Sequence, residues 1–268
     1  MRAAVVGHVE WVRFAAVERM PRPGEIITAR EHWIEAAGGG AVAAVQLQEL
    51  AGSPCTFFTA VGNDDDGRLA LDALRALPLD VHHAVRDEPQ RLAFTFLDDQ
   101  GERTITLLGP KLHPHGADPL PWQKLAEVDA VYFCAGDPGA LRAARQARVL
   151  VATARELPTL QAGGVELDAL VHSGTDFAER YEPGQLDPPP KLVVTTMGRE
   201  GGRFVVGERE GRYAAADLPG PLADAYGAGD RFAAGLAFGL ARGGSVEDAL
   251  QLAASSGASA MTTRGAYG

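Results

Sequence analysis

A glycine-rich turn followed by an acid, Asp224–Phe232 (DAYGAGDRF), is the segment of this sequence best suited to chemistry. Gly227, Ala228 and Gly229 precede Asp230, and an apolar run with helical spacing follows. A turn of small residues that opens a helix leaves backbone N–H groups unpaired, with the positive end of the helix dipole behind them. Such a turn can hold phosphoryl oxygens while Asp230 accepts the proton of an attacking hydroxyl. Taken alone, the same residues could also form a tight turn with Asp230 as a helix cap.

Two further turns are built from small residues. One precedes the helix-like run AVAAVQLQELAG, and the other follows an apolar run that predicts a buried strand. Ligands of parallel sheets gather at the carboxyl ends of strands, so the second turn is a candidate binding loop. Each turn could equally be a flexible entry to a helix or a plain strand end. The residues are Gly38, Gly39 and Gly40 in the first turn, and Thr196, Gly198 and Gly201 in the second.

The overall charge limits the kinds of partner. The chain has 268 residues and a formal net charge of −10, so its surface repels nucleic acids and anionic membranes, and we expect neither as a partner. A small anionic ligand is compatible with this charge, because a local group of backbone amides can hold it. Cys55 and Cys134 each lie in an apolar run without a metal or disulfide pattern, which predicts buried thiols. The longest apolar stretch, Phe232–Ala241, is too short to cross a bilayer, and the amino-terminal run is too short for a signal peptide, so we expect a cytoplasmic protein.

The elements that must position these turns alternate between strand and helix patterns. This alternation predicts an α/β fold with a mostly parallel sheet covered by helices on both faces. The predicted strands are Ala3–Gly7, Cys55–Gly62, Ala130–Ala135, Val149–Ala152, Leu170–His172 and Leu192–Thr196, and the clearest helices are Gly67–Leu77, Pro138–Ala147 and Val246–Ala260.

Two stretches depart from that alternation. Glu25–Glu35 alternates in polarity, and Arg91–Asp98 with Arg103–Leu108 predicts a β-hairpin around the turn DDQG. These stretches indicate antiparallel strands added to the α/β core. We therefore expect a single domain over residues 1–268, with a discontinuous β lid from about residues 9–35 and 90–109.

The segment DAYGAGDRF resembles the carboxyl-terminal signature of the ribokinase/PfkB carbohydrate kinase family, Asp-Thr-x-Gly-Ala-Gly-Asp-x-Phe, with Ala225 at the Thr position. Five other segments resemble family motifs in the family's order, and six ordered motifs make coincidence improbable. The five are Pro23–Glu25, Gly38–Gly40, Val61–Gly67, Gly101–Thr104 and Val194–Gly202.

The resemblance implies a three-layer ribokinase-like fold and an ATP-dependent carbohydrate kinase that uses Mg²⁺. It implies that Asp230 is the catalytic base, that Gly227, Ala228 and Gly229 form the anion hole, and that Thr196, Gly198 and Gly201 bind the nucleotide. It places the acceptor between Asp230 and the Gly38–Gly40 turn. The family also uses a monovalent cation near the residue that corresponds to Asp224, and a homodimer formed through the β lid is a further expectation.

Two departures from the family concern the metal and the acceptor. Ser173-Gly-Thr-Asp176 stands where the family has its metal-associated Asn-x-x-Glu, so Asp176 could organise Mg²⁺ through waters, or the segment could only cap a helix. Glu10 stands where members often have a substrate-binding Asn, with Val12 at the following Asp position. An acid at position 10 favours a neutral or cationic acceptor.

Other functions stay open for the same reasons. Trp11 could stack on a nucleoside base, which would make the chain a nucleoside kinase of the same family. The altered metal and acceptor motifs would also suit a catalytically weak sugar- or nucleotide-binding homologue, although the intact Gly-Ala-Gly-Asp segment argues against it. Arg103, on the lid hairpin, is expected to point into solvent.

Overall fold

Thirteen strands form two sheets in the computed structural model, which describes residues 1–267. The strands are β1 (Ala3–Val6), β2 (Glu10–Ala16), β3 (Glu31–Ala37), β4 (Cys55–Gly62), β5 (Leu79–Arg86), β6 (Leu92–Leu97), β7 (Arg103–Leu108), β8 (Ala130–Phe133), β9 (Val149–Thr153), β10 (Ala169–Ser173), β11 (Leu192–Thr196), β12 (Gly202–Val206) and β13 (Arg209–Tyr213). The helices are α1 (Gly39–Ala51), α2 (Asp65–Arg75), α3 (Pro138–Ala144), α4 (Leu157–Gly163), α5 (Ala228–Ala241) and α6 (Val246–Ala260).

The larger sheet has nine strands in the order β13-β12-β11-β10-β9-β8-β1-β4-β5. The strands from β11 to β5 pair in parallel, and β12 and β13 add an antiparallel edge. Successive residues of a strand point to opposite faces, and the apolar runs therefore fill two separate cores. Phe57 packs in the cluster that includes α1, α5 and α6, whereas Phe58 packs with α3 and α4 on the other face. The predicted three-layer α/β fold is confirmed.

A second sheet of four strands, in the order β3-β2-β6-β7, forms the segment that we call the lid sheet. Its pairing differs from the prediction in one respect, because β2 and β6 run parallel, with Trp11 opposite Leu92. β2 follows β1 in the chain and β6 follows β5, and β1 and β5 run in the same direction in the large sheet. The two lid strands therefore enter the lid sheet from the same side and run parallel. The other two pairings, β2–β3 and β6–β7, are antiparallel.

The first lid segment also starts later than its pattern indicates. The alternation at Glu25–Glu35 predicts a strand there, but β3 begins at Glu31 and continues to Ala37. Gly24 has a positive φ of 86°, and Ile26 is fully exposed (100%), so this part of the alternating stretch lies on the surface outside the ladder. Within residues 1–267, none of the helices is long and apolar enough to cross a membrane.

Candidate active site

The amino termini of α1 and α5 meet at the carboxyl group of Asp230. An ideal Cβ built on Gly39, the first residue of α1, would lie 2.5 Å from Asp230 Oδ1, so only glycine lets the acid approach this closely. The residues before both helices, Gly38 and Gly227, have positive φ values of 87° and 71°. Neither provides a side-chain cap, so the first N–H groups of both helices are left for a ligand.

The environment of Asp230 suits a general base. The Tyr132 hydroxyl donates a hydrogen bond of 3.2 Å to Asp230 Oδ1. Burial, followed by the nearby Glu179 carboxylate, raises the pKa of Asp230 from 3.8 to about 6. The acid is therefore largely ionised at neutral pH, yet its pKa is close enough to 7 to take a proton efficiently.

This pKa predicts two pH effects. Because the base must be ionised, we expect kcat to fall as the pH is lowered through about 6. Because the folded-state pKa lies above the unfolded value, the folded protein binds this proton more tightly, and the resulting stabilisation is lost as the pH rises through about 6. This rise in the pKa corresponds to about 3 kcal/mol, so Asp230→Asn, which cannot ionise, should melt about 6–12 °C above the wild type at pH 8, with the difference vanishing near pH 4. Thermal unfolding at several pH values tests this, and an Asn variant that is less stable than wild type at pH 8 would contradict it.

The two glycines of the turn before Asp230 differ in the space around them. An ideal Cβ on Gly229 meets no atom within 4 Å, so there is open space where a side chain would project from this residue. A Cβ on Gly227 would lie 2.7 Å from Val42 Cγ1, which shows that this glycine is required for packing against α1. Ala228 begins the helix between them.

The predicted nucleotide-binding residues lie at the carboxyl end of β11. Thr196 ends the strand, and its hydroxyl donates to the His172 carbonyl at 3.4 Å. Gly198 has a φ of 56° and no atom within 4 Å of an added Cβ, which leaves its surroundings open. Gly201 is different, because a Cβ there would lie 2.2 Å from the Tyr213 carbonyl oxygen. The β12–β13 hairpin therefore requires glycine at position 201, whether or not a ligand contacts this residue.

The predicted acceptor residues meet at the Gly38 turn. An ideal Cβ on Gly38 would lie 3.0 Å from Glu10 Cγ and 3.2 Å from His8 Cδ2, while Gly40 packs on the His8 carbonyl. Glu10 is 6% exposed and lies 3.4 Å from Arg91 Nε, measured from Oε1. Burial raises the pKa of Glu10 although the Arg91 charge opposes this. Glu10 and Asp230 thus flank the same glycine turn.

Trp11 does not share that location. Adjacent residues of a strand point to opposite faces, and Glu10 and Trp11 are adjacent in β2. The indole packs against the large apolar cluster instead. Val12 projects from the same face of β2 as Glu10 and is fully buried on the inner face of the lid sheet. Trp11 and Glu10 therefore face different surroundings, and the base-stacking role of Trp11 stays a prediction.

The segment predicted to assist a metal forms a capped turn. Ser173 Oγ accepts from the Asp176 N–H at 2.9 Å, and Asp176 Oδ1 accepts from the Ala178 N–H at 2.9 Å. Asp176 also pairs with Arg155 at 2.9 Å, and the Ala178 N–H bond, with Arg155, holds its pKa below the ordinary value. Within residues 1–267, no group of three or more His, Cys, Asp or Glu side chains is placed to hold a metal ion. In this structure the Asp176 carboxylate is already engaged by Arg155 and by the Ala178 N–H.

Several polar residues near the base were missed from the sequence. Tyr132 and Glu179 both act on Asp230, and Arg155 pairs with Glu179. Arg103 corrects an expectation, because its Nη1 donates to the Ala225 carbonyl at 2.8 Å and so joins the lid sheet to the signature turn. No local pattern marks Tyr132, which lies in an ordinary apolar strand. Glu179 could have been considered, because it is an acid close to the altered metal motif.

Known proteins resemble this chain over nearly all of its length. The model of the "pfkB family carbohydrate kinase" matches residues 2–160 and 166–268. The fructokinase of Salmonella typhimurium is 29% identical over 276 aligned positions, covering 85% of this chain and 87% of that protein. The ATP-dependent ribose-1-phosphate kinase of Halopiger xanaduensis is 27% identical, covering 99% and 94% respectively. Among solved structures, Arabidopsis thaliana ribokinase complexed with ribose and ATP has a TM-score of 0.74 at 21% identity, covering 98% of this chain and 93% of that one.

Proposed function

The chain belongs to the pfkB family of carbohydrate kinases, and from this membership we propose that it transfers the γ-phosphoryl group of ATP to a hydroxyl of a sugar or sugar-like acceptor. The observation that carries the proposal is the position of Asp230 between two uncapped helix amino termini. A base beside two clusters of free N–H groups suits the transfer of an anionic group to a hydroxyl.

In this proposal each part of the site has one task. ATP supplies the phosphoryl group, and the N–H groups of the Gly227–Gly229 turn hold the oxygens of that group as charge gathers on them. The acceptor hydroxyl oxygen attacks the γ-phosphorus, its proton passes to Asp230, and ADP leaves. The Tyr132 hydroxyl orients the carboxyl group through its hydrogen bond to Oδ1. Thr196, Gly198 and Gly201 are proposed nucleotide contacts, and Glu10 with Gly38, Gly39 and Gly40 are proposed acceptor contacts.

Mg²⁺ enters the proposal as a companion of ATP. Since Asp176 and Glu179 are both engaged by Arg155, we assign the direct ligands to phosphates and waters, with Asp176 contributing through water. Asp176→Ala should then raise the Mg²⁺ concentration needed for half-maximal activity by up to about tenfold. Asp72→Ala is the matched control, because Asp72 is an exposed acid beside Arg75 on the surface of α2. An unchanged Mg²⁺ dependence in Asp176→Ala would show that this residue only caps the turn at Phe177–Glu179.

A monovalent cation near Asp224 is part of the same proposal. Asp224 is 1% exposed, and its two oxygens accept N–H groups from Tyr226 at 2.7 Å and Gly265 at 2.8 Å. Burial raises the pKa of this carboxyl group, so a nearby cation would offset a charge that the backbone N–H groups balance only in part.

The lid sheet supports two further proposals, that it covers the acceptor and that two copies of the chain associate through it. Its outer face exposes Ile34 (40%) and Phe94 (36%) on either side of Arg13 in the β3-β2-β6 register. Adjacent exposed apolar side chains of this kind are typical of a contact surface. A cytoplasmic location is proposed as well, in agreement with the buried free thiols of Cys55 and Cys134.

The activity is tested by following ADP formation with ATP, Mg²⁺ and a panel of sugars, sugar phosphates and nucleosides. Production of ADP that depends on one acceptor, together with the phosphorylated product, supports the kinase. A protein that binds acceptors in a thermal-shift assay but never forms ADP would instead be the catalytically weak binding homologue.

A further inference from the structure

Two ion pairs, each with a buried carboxylate, lie on the side of the site proposed to bind the acceptor. The first is Arg91–Glu10, in which the side chains are 13% and 8% exposed. The second joins Lys111, in the loop after β7, to Glu156, which follows β9, at 2.5 Å between Nζ and Oε1. Their side chains are 25% and 10% exposed. The second pair belongs to none of the sequence motifs described above.

The topology explains why the second pair lies beside the first. Strands β1, β8 and β9 are neighbours in the large sheet, and they run parallel. Their carboxyl ends therefore bring His8, Cys134 and Glu156 to one edge of the sheet. The Lys111 charge lowers the pKa of both His8 and Glu10, which agrees with this placement.

The imidazole between the two pairs is neutral and has an unused nitrogen. Burial, followed by the charges of Lys111 and Arg91, holds the pKa of His8 well below its usual range. Its Nδ1 is buried without a hydrogen-bond partner, while Nε2 lies 3.7 Å from Glu10 Oε1. On its acceptor side the site is thus lined by the neutral imidazole of His8 and by two ion pairs, in each of which a cation neutralises a carboxylate.

From this arrangement we infer that the acceptor is an uncharged polyhydroxy compound, and that the Lys111–Glu156 pair excludes phosphorylated acceptors. The inference rests on the proposed kinase function. Matched cations and carboxylates can donate to and accept from hydroxyl groups, whereas a phosphate would have to displace a carboxylate from its cation or lie beside it. Lys111 and Glu156 then select uncharged acceptors over phosphorylated ones, because the charge of each neutralises that of the other.

We predict that the preference for uncharged sugars over sugar phosphates changes when Lys111 or Glu156 is replaced, and that the change depends on which of the two is replaced. The preference is measured as the ratio of kcat/KM for ribose or fructose to kcat/KM for ribose 1-phosphate, ribose 5-phosphate or fructose 6-phosphate. The wild type should prefer the uncharged sugars. Glu156→Gln leaves Lys111 unpaired and should lower the ratio about tenfold, the effect of a single partly screened charge. Lys111→Met leaves an unpaired carboxylate and should not lower the ratio.

Controls separate this effect from a general loss of structure. Lys124→Met and Glu166→Gln remove charges from exposed ion pairs elsewhere and should keep the wild-type ratio. The double variant Lys111→Met/Glu156→Gln leaves no unpaired charge, so its ratio should return to that of the wild type even if a single variant folds poorly.

Three results would overturn the inference: a wild type that prefers a sugar phosphate, single variants that change the ratio in the same direction, or a double variant that fails to restore it. If no acceptor supports ADP formation in the wild type, the kinase proposal fails. The same ratio is then measured as acceptor affinity by calorimetry, where an unchanged preference in Glu156→Gln also counts against the ion pair.

Discussion

Asp230→Asn should lower kcat by about 10²–10⁴, the usual contribution of a general base. Asn keeps the shape of the side chain and its place beside Gly39, but it cannot take the proton of the acceptor hydroxyl. Binding of ATP should change little, because the N–H groups of the Gly227–Gly229 turn are backbone groups that this substitution leaves in place. Steady-state kinetics with the best acceptor, together with calorimetric titration of an ATP analogue, provide the two measurements.

Asp248→Asn is the matched control for this variant. Asp248, like Asp230, is an acid in the first turn of a helix, but it forms a capping box with Ser245 on the surface. If Asp230 were only a cap, both variants would lose stability and keep their turnover. Near-wild-type turnover in Asp230→Asn would remove Asp230 as the base.

Gly229→Val should abolish ATP-dependent turnover while the protein still folds. The first helical turn tolerates a side chain at this position, since an ideal Cβ meets nothing within 4 Å. In the proposed complex the same space holds phosphoryl oxygens, so a branched side chain would displace the nucleotide. Loss of nucleotide binding with an unchanged melting temperature is the expected result, and Gly229→Ala should show a smaller loss.

Gly227→Ala provides the contrast to that variant. Gly227 has a φ of 71°, and its added Cβ would meet Val42, so we expect a lower melting temperature as well as lower activity. Should Gly229→Val bind and turn over ATP normally, the phosphoryl group must be held elsewhere. Should it fail to fold, the space beside Gly229 would be needed by the folded protein itself rather than by phosphoryl oxygens.

The sequence predicts the large sheet well because that sheet is built from local patterns. Runs such as Cys55–Gly62 are apolar on both faces, as a strand between two helical layers must be, and the structure contains that strand with the same limits. The meeting of the two glycine turns at Asp230 follows from family resemblance rather than from composition. The functional roles of these residues stay predictions until they are measured.

The remaining features of the site depend on contacts between distant segments. Tyr132 and Asp230 are 98 residues apart, and Arg103 and Ala225 are 122 apart. No periodicity in the chain relates such positions. The Trp11 prediction shows a different limit, since proximity to Glu10 in sequence places the two side chains on opposite faces of β2.

The chain crosses between the large sheet and the lid sheet at four points, and all four lie at the proposed acceptor site. Residues 7–9 join β1 to β2, and Gly38 alone joins β3 to α1. The other two crossings carry Arg91, just before β6, and Lys111, shortly after β7. The chain therefore passes between the large sheet and the lid sheet at His8, Gly38, Arg91 and Lys111, which are the residues proposed to surround the acceptor. A rotation of the lid sheet relative to the large sheet would have to change the backbone at these four points. An acceptor bound as proposed would contact the same points, and we therefore expect it to restrain such a rotation.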